Sequence, residues 1–376
     1  MKRGVVSFLA LAALSAATLP FLISCGSGGG GQRTLPRIDA IAATRDDAVL
    51  IFRDALHKSY GDVADVALTS ASGVDRPTGV ARVGNRLFVS CYDSSRIIFF
   101  DDYGGLVSGD SYDGSLSISQ PNRLFEHDGD LYAVSQGSHA VYVWRGAETI
   151  GSGASPDAML TGSMSYPKDV CVADDMVFVA GYNSDTVPIW AGAASLSGTV
   201  GPDVVLDLTG SLLRQPIRVA VQDGTLYVAN RDNAVYLFRN ASLAYDGAPP
   251  DVVLGGPSDV DGPRRPLITN DRLFVPSRYE DKGMSIFHDP ASLTNGAIPD
   301  AEIVEPWTEI YAADLHRNVL FGFAGQDGDD LFFAYFDARN IQTGQEPDLA
   351  LWDPRVLYER VIEILLVDSP PVVMLP

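Results

Sequence analysis

The sequence predicts an all-β fold, a seven-bladed β-propeller closed by N- and C-terminal strands in one blade, and three observations carry that expectation. A proline-led unit recurs at fixed spacing, a Gly then Pro-Asp signature recurs between units, and the apolar runs have the length of strands rather than helices.

The chain opens on "MKRGVVSFLALAALSAATLPFLISC", with a basic start at Lys2 and Arg3, an apolar stretch from Val5 to Leu22, and then Leu22-Ile23-Ser24-Cys25. This is the pattern of a secretory leader. Its last four residues resemble the lipobox of bacterial lipoproteins, and that resemblance implies that Cys25 carries lipid and becomes the mature N-terminus. The alternative is an uncleaved membrane anchor, since Val5 to Ile23 could just span a bilayer. The "GSGGGG" run, Gly26 to Gly31, suits a flexible tether. It also matches G-x-G-x-x-G, but the dinucleotide reading needs a strand before the glycines and none is present. The expected organisation is a leader over 1–25, a tether and linker over 26–44, and the propeller over 45–376.

The repeat reads "RPTGVARVGNRLFVSCYDSSRIIFF", "QPNRLFEHDGDLYAVSQGSHAVYVW", "YPKDVCVADDMVFVAGYNSDTVPIW" and "QPIRVAVQDGTLYVANRDNAVYLF". In each copy an apolar residue ten positions after the Pro opens the second strand: Pro77 to Leu87, Pro121 to Leu131, Pro167 to Val177, Pro216 to Leu226. Looser units start near Pro266, Pro306 and Pro354. Between units stand "GASPDAML", "GPDVVL", "GAPPDVVL", "GAIPDAEIV" and "GQEPDLAL", whose aspartates, Asp157, Asp203, Asp251, Asp300 and Asp348, lie 46 to 49 residues apart. Proline cannot donate to a ladder and aspartate closes turns, so Pro-Asp reads as the bend into an outer strand. A ring of calcium-binding carboxylates is the weaker alternative.

Units of 44 to 50 residues holding four short strands have the size of propeller blades. Runs such as "LYVA" and "VYLF" are apolar at nearly every position, as a sheet buried on both faces requires. Residues 49 to 68 read as the second half of a unit and the C-terminal "ERVIEILLVDSPPVVML" as a first half, so the two ends complete the seventh blade. The quoted units resemble NHL and YVTN-type propeller repeats over most of residues 45 to 376. That resemblance implies the fold, and its members include extracytoplasmic binding scaffolds, lactonase-like hydrolases and quinone-dependent enzymes.

Composition narrows the partners. The net charge is −21, and loss of Lys2 and Arg3 with the leader leaves 25 basic against 48 acidic side chains, or −23. Such a surface repels phosphate backbones, so no nucleic-acid partner is expected. The chain lacks G-x-S-x-G and G-x-x-x-x-G-K-[ST], and its five histidines are scattered without ligand spacing, so neither a serine hydrolase, a P-loop nor a zinc site is expected. No cofactor is expected. Cys171 falls where other units carry Ala81, Phe125 and Ala220, which suits packing; a disulfide to Cys91 is the alternative outside the cytoplasm.

Two clusters compete as a site. Asp93, Asn183, Asn230 and Asp327 fall in or beside the turns after the second strands, and a lactonase-like metal centre would draw on them; ordinary turn chemistry is the other reading. Two residues after the Pro stand Arg123, Asp169 and Arg218, and just before it Arg76, Tyr166 and Arg265, all positions that converge on a propeller's channel mouth. Either Arg123, Asp169 and Arg218 form an ion-pair ladder between blades, or the surplus arginine, with Arg231 and Arg278 in the turns above, marks an anion or carboxylate pocket. The expected function is a lipid-anchored, extracytoplasmic binding or scaffold protein of the bacterial envelope. Its expected partners are the membrane, reached through the lipid, and another envelope protein or a small anion. Gly26 after the Cys favours the outer membrane.

Overall fold

The computed structural model of the chain describes residues 35–44, 47–59, 62–207, 214–231, 233–255, 262–269, 271–277, 283–303, 309–325, 331–351 and 361–370. Among them seven sheets form, and the chain is a seven-bladed β-propeller. The innermost strands are Val361–Asp368 in blade 1, then Pro77–Val83, Pro121–His127, Pro167–Ala173, Pro216–Gln222, Leu267–Thr269 and Glu309–His316 in blades 2 to 7. In blades 2 to 5 the recurring proline is the first residue of its innermost strand. Cys25 and the Gly26–Gly31 run, with Pro306 and Pro354, lie outside the described residues.

Proline shapes the top of each of these blades. Its missing N–H breaks the ladder, and the register shifts between Pro77 and Gly79, Pro121 and Leu124, Pro167 and Asp169, and Pro216 and Arg218. The residue before it takes a left-handed backbone: Arg76, Gln120, Tyr166 and Gln215 have φ of 45°, 45°, 53° and 57°. These strained residues ring one end of the channel.

The Pro-Asp aspartates close turns at the opposite end. Asp157, Asp203, Asp251, Asp300 and Asp348 each accept a hydrogen bond, at 2.7 to 2.8 Å, from the backbone N–H twelve residues earlier, where the third strand ends. Asp65 and Asp113 do the same in blades 1 and 2. One clamp per blade satisfies a donor that the ladder leaves open, and it spreads these carboxylates around the ring instead of gathering them for calcium.

The apolar strands pack between blades. One cluster joins Phe178 and Ile189 of blade 4 to Val219, Leu226 and Tyr236 of blade 5; another joins Tyr132 and Val141 of blade 3 to Val177 and Trp190 of blade 4. Second strands such as Arg86–Cys91 and Met176–Gly181 are buried at every position because a neighbour covers each face. Cys91 and Cys171 are buried free thiols in separate clusters, so the disulfide alternative fails. Burial pushes each thiol up to about 11.

Three sequence expectations are corrected. The propeller begins at Ile38 rather than 45, because Ile38–Thr44 is a wholly buried strand paired with both Val49–Phe52 and Val361–Asp368. The closing blade therefore takes one strand from the C-terminus and three from the N-terminus, not two from each. Blade 3 has a fifth strand: Gly198–Val200, from the third-to-fourth connection of blade 4, pairs in parallel with Ala158–Leu160 and covers that outer edge.

Candidate functional site

Seven innermost strands converge at the proline end, and the turns after the second strands rise around them. Together they enclose a cavity of about 400 Å³ to which every blade contributes. Five basic side chains line it: Arg76, Lys168, Arg218, Arg231 and Arg264. No acidic side chain does so among the described residues. A narrow chamber of about 20 Å³ adjoins it, lined by Arg123, Arg218, Arg265 and Glu363 among others.

Tyrosines order the cations. Arg76 lies over the Tyr92 ring, 4.7 Å from its centroid, and pairs with exposed Asp93 at 3.0 Å. The hydroxyls of Tyr92 and Tyr166 share a hydrogen bond of 3.1 Å, and burial followed by that bond pushes Tyr92 up to about 12. The Lys168 Nζ lies 4.6 Å from the Tyr166 ring centroid and 5.1 Å from that of Tyr182. Arg231 donates from Nη1 to the Tyr182 hydroxyl and to Gln215 Oε1.

The chamber holds the opposing charge. Arg123, 5% exposed, pairs through Nε with Asp169 at 3.4 Å and through Nη1 with Glu363 of the closing blade. Asp169 also accepts from the Val219 N–H at 3.0 Å, which ties blade 4 to blade 5. The ladder thus stops at Asp169. Arg218, the third residue expected in it, donates instead to the Ile217 carbonyl and has no ion pair with a described carboxylate. Burial lowers the Arg218 pKa, Asp169 opposes that shift, and Arg265 adds to it. Burial and Arg265 also press the Arg123 pKa downward. Lys168 falls to about 8, through burial first and then the repulsion of Arg218, Arg264, Arg76 and Arg231.

Of the residues singled out in the sequence, Arg76, Tyr166, Arg218 and Arg231 line the mouth. Arg123, Arg218 and Arg265 line the chamber beside buried Asp169, and Arg278 lies outside the described residues. Of the residues on which the metal alternative would draw, Asn183 is exposed. Asp93 is spent on Arg76, Asn230 is fully buried, Asp327 lies outside the described residues, and no group of three His, Cys, Asp or Glu gathers among those described.

Lys168, Tyr92, Tyr182, Arg264 and Glu363 went unread in the sequence. A signal existed for two of them, since Tyr92 and Tyr182, like Gln136 and Arg231, directly follow a second strand. Lys168 follows its proline as Thr78, Asn122 and Ile217 follow theirs, and all four line the cavity.

No family model matches the chain, and no curated protein matches it. Solved structures do. A mitotic checkpoint complex structure aligns at 16% identity over 77% of this chain and 83% of that one, with a TM-score of 0.58. The WD40 β-propeller domain of Doa1 aligns at 15% identity over 78% and 90%, with a TM-score of 0.56. A computationally designed protein, Ika8, aligns at 12% identity over 83% and 86%, with a TM-score of 0.53. At such identities the likeness shows the propeller fold alone.

Proposed function

We propose that this propeller is a non-catalytic binding protein of the bacterial envelope, anchored by lipid at Cys25, whose channel mouth receives an anionic group of its partner. One observation carries the reading: a cavity lined by five cations and no described carboxylate, on a chain of net charge −21. Like charge crowded at one spot costs stability, and an incoming anion relieves it. A volume of about 400 Å³ suits a small molecule or the tip of a protein loop.

Thermal unfolding in malonate or citrate tests the mouth. At a hundredfold excess over Kd the anion should stabilise the domain by about 2.7 kcal/mol. Arg218→Glu should abolish that gain, whatever it does to the unliganded stability, because it replaces a cation of the cavity by a carboxylate. If the variant only lowers the melting temperature while malonate still stabilises it, the arginines bind blades together and no anion site exists.

The anchor has its own test. Cys25→Ser should remove a fatty-acid label from the protein and block its maturation. An unchanged label and mature mass would refute the anchor.

A further inference from the structure

Lys168 is one of four lysines in the chain, with Lys2, Lys58 and Lys282, and its surroundings differ from those of a surface lysine. Lys58 illustrates the ordinary case, with its ammonium 2.7 Å from the Asp65 carboxylate. Lys168 has no ion pair with a described carboxylate; two tyrosine rings flank it, and the guanidinium groups of Arg218, Arg264, Arg76 and Arg231 repel it. Arginine stays charged and cannot act as a nucleophile, whereas a lysine crowded by cations sheds its proton near neutral pH and exposes an amine lone pair. With a pKa of about 8, a substantial fraction of Lys168 is neutral where an ordinary lysine is almost wholly protonated.

The geometry points to Lys168 as an imine-forming amine that captures the carbonyl group of a small oxo-acid, whose carboxylate rests on Arg218 and Arg231. The inference builds on the anion-binding reading of the same mouth. The neutral amine adds to the carbonyl carbon, a proton passes from nitrogen to oxygen, and loss of one water gives the imine. Nothing is oxidised or reduced, and hydrolysis reverses the step. Capture is therefore reversible covalent binding without turnover.

Glyoxylate with cyanoborohydride tests it on the mature chain. Hydride from the reagent adds to the imine carbon and fixes a carboxymethyl group on the nitrogen, which peptide mass mapping locates. At pH 7.5 Lys168 should be labelled at least about tenfold faster than Lys58, and its rate should level off above pH ~8 while that of free N-acetyl-lysine keeps rising. Lys168→Arg should leave that peptide unlabelled. Arg218→Glu should slow labelling by both aldehydes, because the repulsion that lowers the Lys168 pKa is lost, and should slow glyoxylate more than propionaldehyde, which carries no charge. If Lys168 reacts no faster than Lys58 with either aldehyde, the inference is overturned, and the malonate titration still judges the anion site by itself. If Lys168 outpaces Lys58 with propionaldehyde but Arg218→Glu slows the two aldehydes alike, the amine is reactive and the oxo-acid assignment falls.

Discussion

Deleting the chain from Glu359 onward is expected to abolish cooperative folding of the whole propeller, not to trim a tail. The segment supplies the innermost strand of blade 1, Val361–Asp368, which pairs with every residue of Ile38–Thr44. It buries Val361, Ile364 and Leu366, and full burial of three such side chains contributes on the order of 5–9 kcal/mol. Polar ties fix the same strand to both neighbours. Asp314 of blade 7 accepts from the Leu366 N–H at 2.8 Å, His316 and Arg317 reach Asp368, and Arg82 of blade 2 donates to the Asp368 carbonyl at 2.7 Å.

Ser369 completes a latch on fully buried Asp39, which also receives the Tyr103 hydroxyl, Arg53 and the Asp54 N–H. Burial alone would raise the Asp39 pKa, yet these hydrogen bonds hold it below its usual value. The latch is therefore at full strength above the ordinary carboxylate pKa and weakens as pH falls through the depressed one. A loss near 5–9 kcal/mol is comparable with the entire stability of most domains. Urea unfolding followed by tryptophan fluorescence and circular dichroism should show no cooperative transition in the truncated chain. A wild-type midpoint would mean that the ring closes without this strand.

Arg123→Met is expected to destabilise the propeller by about 3–5 kcal/mol, the usual cost of stripping the partner from a buried ion pair. The side chains of Asp169 and Glu363 are 1% and 2% exposed, so neither carboxylate can turn to water when the guanidinium goes. Arg123 joins blade 3 to blade 4 and, across the channel, to blade 1. Replacing Glu363 by Leu together with Arg123→Met should recover part of the loss by removing one of the stranded charges. Asp169 must stay in that double variant, since it also holds the Val219 N–H. Chemical denaturation of the two variants checks both expectations, and a loss below about 1 kcal/mol for Arg123→Met would place the pair among surface-like bridges. The contrast with Arg218→Glu matters: two arginines at the same repeat position should differ in that one supports the ring and the other serves the mouth.

The blade count, the strand that opens each of blades 2 to 5, the Pro-Asp clamp and the closure by both chain ends were legible in the sequence. Each depends on chemistry acting within one blade: proline lacks a donor wherever it stands, and aspartate caps an amide twelve residues away. Periodicity then copies that local rule along the chain. Boundaries were less legible. Ile38–Thr44 reads "IDAIAAT", with no proline to mark it, and it becomes a strand because the C-terminal segment lies beside it. Gly198–Val200 joins blade 3 only because the neighbouring blade presents its edge there. The site was half legible. The arginines at the mouth could be placed by repeat position, but the pairing of Arg123 with Glu363 rather than with a second blade-to-blade step, the lack of an Arg218–Asp169 ion pair, and the crowding of Lys168 could not. Those depend on distances across the channel between strands far apart in sequence, and only the closed ring sets which side chains meet there and which charges are left over.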